Sequence, residues 1–375
     1  MTKLGTSVFQ GREHVSVLDT FASLLDGAPW IGDGPLSRRC EAMIRQQLGA
    51  QHAYLMPSCT SALEMACLLI DIRQGDEVIM PSWGFSSAAN AVVLRGAVPV
   101  FVDIRPDTLN INEALIAAAV TEHTRAIMVV HYAGVCCEMD DIIEVADRHG
   151  LEVIEDAAQA YLSGWRGAPV GMLSDVAAFS FHDTKNVRCG EGGALITSSP
   201  GLARRAEIMR EKGTNRSAFL RGEVDKYTWV DLGMSGVVSE FQAAVLLDQL
   251  MRAEAITRRR RALWDRYHEA LADMEGTIQR PNPPVHCRHN GHIYWVLLPT
   301  GTERDRVLAA LRAEGIKASF HFVPLHSSPA GLHYGRVSGS MAVTDDVAAR
   351  LLRLPLSHAT TEDEVDRAVA GLRRA

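Results

Sequence analysis

The feature that most restricts the fold of this chain is an alternation of short apolar runs with amphipathic helical periods, from about residue 38 to 155. Arg38 to Leu48 reads as a helix, His52 to Met56 as a strand and Thr60 to Ile70 as a helix. A strand at Glu77 to Met80, a helix near Ser86 to Arg95 and a strand at Val98 to Val102 follow. The pattern continues through a helix around Glu113 to Val120, a strand at Ala126 to Val130, a helix at Met139 to His149 and a strand at Leu151 to Ile154. Strands this short and apolar, separated by helices, predict an α/β fold with a mainly parallel sheet flanked by helices. Ligands of such sheets bind beyond the carboxyl ends of the strands, so the strand-to-helix turns are where chemistry is expected.

After a further strand at Ala194 to Thr197 the character changes. Thr214 to Gly236 is polar and contains glycine, a loop long enough to expect a function. Ser239 to Leu271 carries one apolar stripe and predicts a single long helix starting near 239. The remainder predicts a small α/β domain. It has a strand at His292 to Leu298 and helices at Glu303 to Glu314, Thr344 to Leu354 and Thr361 to Arg373. With 375 residues, two domains are expected: a large one over 1–250 and a small C-terminal one over 251–375, joined by the long helix.

A formal charge of −7 argues against broad nucleic-acid binding while leaving room for a local basic pocket. No apolar stretch reaches the roughly 20 residues that span a bilayer. The N-terminal MTKLGTSVFQGREHVSVL lacks the apolar run and cleavage site of a secretory signal. The seven cysteines are odd in number and show no CxxC spacing, which fits buried thiols in a reducing cytoplasm. The basic run Arg258 to Arg261 covers several faces of a helix and reads as solvated or interface surface. His286, Cys287, His289 and His292 sit on a Pro-rich loop without the spacing of a structural zinc site or an HExxH helix, so no metal is expected.

Three segments carry chemistry. In Leu55-Met-Pro-Ser-Cys-Thr-Ser-Ala-Leu-Glu64 a strand gives way to a turn of small polar residues and then a helix. Unpaired amides and hydroxyls at a helix start seat a phosphate, although the same residues also make an ordinary cap. In Val153-Ile-Glu-Asp-Ala-Ala-Gln159 an acid follows an apolar strand. There Asp156 could hold a protonated heterocycle nitrogen, bind a metal, or simply cap a helix. In Ala177-Ala-Phe-Ser-Phe-His-Asp-Thr-Lys-Asn186, followed by Cys189-Gly-Glu-Gly-Gly193, a lysine lies between an apolar strand and a glycine-rich turn. A buried lysine has a depressed pKa and becomes an amine nucleophile suited to Schiff-base formation. A phosphate seat, an acid and an amine on successive strand ends match the three attachment points of pyridoxal phosphate.

On these segments the chain resembles the DegT/DnrJ sugar aminotransferases of the fold-type-I, aspartate aminotransferase-like group. Gly75-Asp-Glu-Val-Ile-Met-Pro-Ser82, Phe101-Val-Asp103, His131-Tyr-Ala-Gly134 and Pro324-Leu-His326 extend the likeness over the whole chain. Within the family it is most similar to enzymes that aminate C4 of a dTDP-4-keto-6-deoxy-hexose. Cys137-Glu-Met-Asp140, Glu211-Lys-Gly-Thr-Asn-Arg-Ser217 and Asp225-Lys-Tyr-Thr-Trp229 carry that closer match. The resemblance implies L-glutamate as amino donor, a homodimer or larger assembly, and the following roles. Lys185 is the Schiff-base residue and proton shuttle, Asp156 pairs with the ring nitrogen, and Gln159 contacts the ring hydroxyl. Thr60, the backbone at Cys59, and Ser180 hold the phosphate. Phe85 lies over the cofactor face, with Trp83 as the second choice.

Lys226 and Tyr227 of the polar segment, with His321 and His326, are the substrate-binding candidates. Where many relatives place an Asn that reaches the partner's phosphate, this chain has Val237; Asn215, Arg216 or Lys226 would then make that contact. Other readings are a 3-aminotransferase, a keto-cyclitol aminotransferase, and a regulatory protein on an inactive fold. A dehydratase with histidine in place of the lysine is opposed by Lys185.

Overall fold

In the computed structural model, which describes residues 17–375 apart from 28, 29 and 31, the alternating pattern builds one wide sheet. The N-terminal stretch considered for a signal lies, up to residue 16, outside the described residues. The strands of the first half are β1 (His52–Met56), β2 (Glu77–Pro81), β3 (Val98–Val102), β4 (Thr124–Val130) and β5 (Glu152–Asp156). They are followed by the short β6 (Gly164–Trp165) and β7 (Ala168–Pro169), then β8 (Val176–Ser180) and β9 (Gly193–Thr197). The C-terminal part adds β10 (Cys287–Arg288), β11 (Tyr294–Leu297), β12 (Arg336–Val337) and β13 (Leu351–Leu354).

The large sheet runs β1-β9-β8-β5-β4-β2-β3-β12, and β9 alone runs against the rest. Both faces are covered, as a parallel sheet requires. Ile79, Ile127, Val129, Val153 and Phe179 point into one apolar cluster. Their strand neighbours Val78, Met80, Met128, Ile154 and Ala178 point into the other. This period-2 alternation, with helices such as Cys59–Leu69 and Met139–His149 packed outside, fixes the register of the strands and so the positions of their ends.

The expected single long helix is instead two. Glu240–Met251 ends at Arg252, whose backbone leaves the helical region, and Ala253–Ala270 follows. The reason is that the halves serve different cores. Ala243, Leu246, Leu247 and Leu250 pack under the large sheet, whereas Leu263, Trp264 and Tyr267 pack against β11, β13 and the helix Glu362–Arg374. One straight stripe cannot face both. The expected helix through Leu354 also stops early, at Arg350, and the last residues form β13. Pro355 disfavours helical backbone in the residue before it, and Leu352 and Leu354 then alternate into the small core. The expected helix at Glu113 to Val120 is a 3-10 turn (Glu113–Leu115) followed by the single helical turn Ile116–Ala119. The polar segment after Thr214 contains a short helix, Arg216–Leu220. The C-terminal chain returns to the large sheet through β12, parallel to β3.

Candidate active site

The carboxyl ends of β1, β5 and β8 open into a cavity of about 490 Å³. At one end stands the helix Cys59–Leu69, whose N-cap Ser58 accepts a hydrogen bond from the Ser61 N–H at 3.0 Å. Cys59 and Thr60 of that first turn line the cavity, and the hydroxyl pair Thr60–Ser87, 2.7 Å apart, extends the polar rim. Gly193, at the end of the Gly190-Glu-Gly-Gly193 motif, presses against this turn. A Cβ there would lie 2.4 Å from the Ser58 carbonyl carbon and 2.5 Å from the Cys59 nitrogen. Only glycine allows β9 to back the helix start this closely. Ser180, at the end of β8, completes that end; its Oγ accepts the His182 N–H at 3.3 Å.

Asp156, the last residue of β5, is buried and its Oδ1 accepts the Ala158 N–H at 3.0 Å. Burial raises its pKa, while that N–H and the Lys185 charge oppose the rise. A buried carboxylate with so few donors calls for a cationic partner from outside the chain. Behind it His131 Nε2 lies 2.9 Å from Glu155 Oε2, and the Cys137 N–H donates to His131 Nδ1 at 3.1 Å. Gln159 accepts the Ala133 N–H through Oε1 at 2.8 Å and lines the cavity.

Lys185 sits on a turn closed by its own N–H to the His182 carbonyl at 2.9 Å. Burial lowers its amine pKa, and the Arg353 charge adds to this while the Asp156 carboxylate opposes it. The next residue, Asn186, is buried; its Nδ2 donates to the Asn290 carbonyl at 3.0 Å and its Oδ1 meets His292 Nδ1 at 2.9 Å. The His-rich loop thus supports the lysine turn, and its members diverge. Cys287 Sγ accepts the Cys136 N–H, His286 faces Glu138, and His289 packs on Trp264.

Lys185, Asp156, Gln159, Ser180, Cys59, Thr60, Phe85 and His321 all line the one cavity. Phe85 is 62% exposed and, with Phe322, lines the cavity, whereas Trp83 is buried against Tyr132 and does not. His321 bonds the Tyr132 hydroxyl at 2.5 Å, and burial with the nearby Arg353 and Lys185 charges holds it neutral. His326 is tied to Ser82 Oγ at 2.7 Å and faces Asp345 at 3.3 Å, and it is not among the residues lining the cavity. Lys226 and Tyr227 lie on the exposed segment and do not line the cavity of their own protomer. On that segment Asn215 Oδ1 accepts the Thr228 N–H at 2.7 Å and Arg216 pairs with Glu211 at 3.2 Å, so both are engaged within the chain. The reading of motifs missed Arg353 and Tyr132. Arg353 lies in a C-terminal stretch read as helix, and Tyr132 lies inside a motif valued only for its likeness.

An amine, a buried acid and a helix N-terminus facing one cavity on a mainly parallel sheet define a fold-type-I pyridoxal-phosphate enzyme. The DegT/DnrJ/EryC1/StrS aminotransferase family model matches residues 13–373, and the chain belongs to that family of pyridoxal-phosphate-dependent sugar aminotransferases. It is 35% identical over 374 residues to the spore coat polysaccharide biosynthesis protein SpsC of Bacillus subtilis, covering 97% of this chain and 94% of SpsC. Among solved structures, a family aminotransferase from Brucella abortus superposes with a TM-score of 0.88 at 30% identity, covering 96% of this chain and 94% of that one. DesV of S. venezuelae does so with 0.88 at 33% identity, covering 96% and 93%. Among the described residues, no helix is long and apolar enough to cross a membrane.

Proposed function

We propose that the protein transfers an amino group from L-glutamate to the C4 ketone of dTDP-4-keto-6-deoxy-D-glucose, giving a dTDP-4-amino-4,6-dideoxy-hexose. The observation that carries the transaminase chemistry is the shared burial of Lys185 and Asp156 in one cavity that ends on the Ser58–Thr60 helix start. The C4 preference is supported by the segments Cys137-Glu-Met-Asp140, Glu211 to Ser217 and Asp225 to Trp229. A 3-aminotransferase or keto-cyclitol enzyme on the same frame is the second reading.

Bound pyridoxal phosphate would supply an electron sink for the carbanion formed at the donor's α-carbon. The chain supplies the rest. Lys185 Nζ would hold the aldehyde carbon and, once displaced by the donor amine, take the donor's α-proton. Asp156 would keep the ring nitrogen protonated, and its burial strengthens that pairing. The Cys59 and Thr60 amides, the Thr60 hydroxyl and Ser180 would hold the phosphate, Gln159 the ring hydroxyl, and Phe85 one ring face. His321, neutral and bonded to Tyr132, would contribute a hydrogen bond rather than charge to the sugar nucleotide.

The exposed Leu220, Trp229 and Leu232 support burial of the 214–236 segment against a second copy, which would bring Lys226 and Tyr227 to the neighbouring cavity. All seven cysteines are free thiols, in keeping with a cytoplasmic enzyme. The test is NMR of the product formed from dTDP-4-keto-6-deoxyglucose and glutamate. Nitrogen on C4 is the expected result, and it also fixes the axial or equatorial configuration; nitrogen elsewhere, or no product, overturns the reading.

A further inference from the structure

Asn186, the residue after Lys185, has both ends of its amide committed. Its Nδ2 donates to the Asn290 carbonyl at 3.0 Å, which leaves Oδ1 toward His292 Nδ1 at 2.9 Å. An amide oxygen only accepts, so the hydrogen of that contact belongs to His292 Nδ1. Burial, with the charges of Lys185, Arg260 and Arg353, holds the His292 pKa well below its ordinary value, and the ring is neutral. A neutral imidazole carries one N–H. With that hydrogen on Nδ1, Nε2 is a bare lone pair.

His131 shows the contrast. It is buried as well, but its Nε2 meets Glu155 and its Nδ1 accepts the Cys137 N–H. His292 is 7% exposed and lines the Lys185 cavity, and among the described residues nothing bonds its Nε2. A buried acceptor left without a donor is costly unless a ligand supplies one.

The charges around the ring decide which donor fits. Lys185 is the foremost of the cations that act on it, followed by Arg260 and Arg353. A ligand ammonium would be repelled there, so the fitting donor is a neutral one, a sugar hydroxyl. We infer that His292 selects the substrate by accepting, at Nε2, a hydrogen bond from the hydroxyl on the carbon next to the reacting ketone. This rests on the sugar-transaminase reading of the Lys185 cavity. The ketone carbon has to reach the nitrogen that takes the place of Lys185 Nζ, and the hydroxyl one carbon away is the sugar's donor nearest to that point. The rival donor is the Lys185 amine itself, and the experiment separates the two.

Two substitutions divide the ring between them. His292→Asn keeps a donor at the Nδ1 position and removes Nε2, whereas His292→Gln keeps an amide atom at the Nε2 position and loses the bond to Asn186. The holoenzymes are compared on dTDP-4-keto-6-deoxyglucose and its 3-deoxy analogue, with cofactor content and melting temperature matched to wild type as the folding control. Wild type is expected to favour the hydroxylated sugar about 10–100-fold in kcat/KM, because the analogue leaves a buried polar group unpaired. His292→Asn is expected to bring that ratio near unity through loss on the hydroxylated sugar, and His292→Gln to keep most of it. Nitrogen NMR of holoenzyme labelled in histidine, assigned with His292→Asn, should show hydrogen on Nδ1 and none on Nε2. A protonated Nε2, or a preference that survives in His292→Asn, overturns the inference. So does a loss in His292→Asn that falls equally on the half-reaction with glutamate, which would assign Nε2 to the Lys185 amine. Wild type that aminates both sugars equally overturns the inference alone, whereas wild type that aminates neither overturns the C4-sugar reading beneath it.

Discussion

His131 Nε2 and Glu155 Oε2 lie 2.9 Å apart with both side chains fully buried, on the strand ends that carry the site. Burial alone would raise the Glu155 pKa. The hydrogen bond from His131, with the Gly171 N–H and the Ser174 hydroxyl, outweighs it and holds the carboxyl below the ordinary range. A carboxyl depressed in the folded state contributes stability above its unfolded pKa and loses it as pH falls through the folded value. Glu155→Gln should therefore cost about 3 kcal/mol at neutral pH. It should also flatten the acid limb of the stability curve, as measured by urea denaturation at a series of pH values. An unchanged acid limb would remove Glu155 from the account.

Asp156→Asn keeps the shape of the side chain and removes its charge. Turnover is expected to fall on the order of 10²–10³-fold, as when one preorganised electrostatic group is lost. Cofactor retention through gel filtration should weaken in parallel, with folding intact by circular dichroism.

Gly193→Ala would drive a methyl group into the Ser58–Cys59 backbone. Since backbone must yield, a cost of about 1–3 kcal/mol is expected, together with weaker binding of pyridoxal phosphate. Fluorescence titration of cofactor-free protein measures the second effect. The same substitution at Gly190, where a Cβ meets nothing within 4 Å, should leave the helix start undisturbed, although its φ of +88° adds local strain.

The depressed pKa of Lys185 has a kinetic consequence. Cofactor-free protein should condense with pyridoxal phosphate with a pH midpoint below that of a solvent-exposed lysine, because the neutral amine is the nucleophile. A midpoint in the ordinary lysine range would place that amine in water.

Much of the large sheet was legible in the sequence because its strands are buried on both faces and short, so apolar runs mark them directly. His52–Met56, Val98–Val102 and Met139–His149 fall where the pattern puts them. The strand-end logic pointed to Asp156 and Lys185, and both line the same cavity. What was hidden depended on tertiary choice. The break at Arg252 leaves the apolar stripe uninterrupted, since each half finds its own core. Leu351–Leu354 continues a helical period until Pro355 decides otherwise, and with that strand went any sign that Arg353 turns inward. His326 stands in a family motif, and nothing in the sequence showed that Ser82 and Asp345 hold its ring.

The most direct measurement is borohydride reduction of the holoenzyme followed by peptide mapping. The account predicts one pyridoxyl-modified peptide, containing Lys185, which disappears in Lys185→Ala. A modification on another lysine, or none in protein that still carries the cofactor, would contradict it.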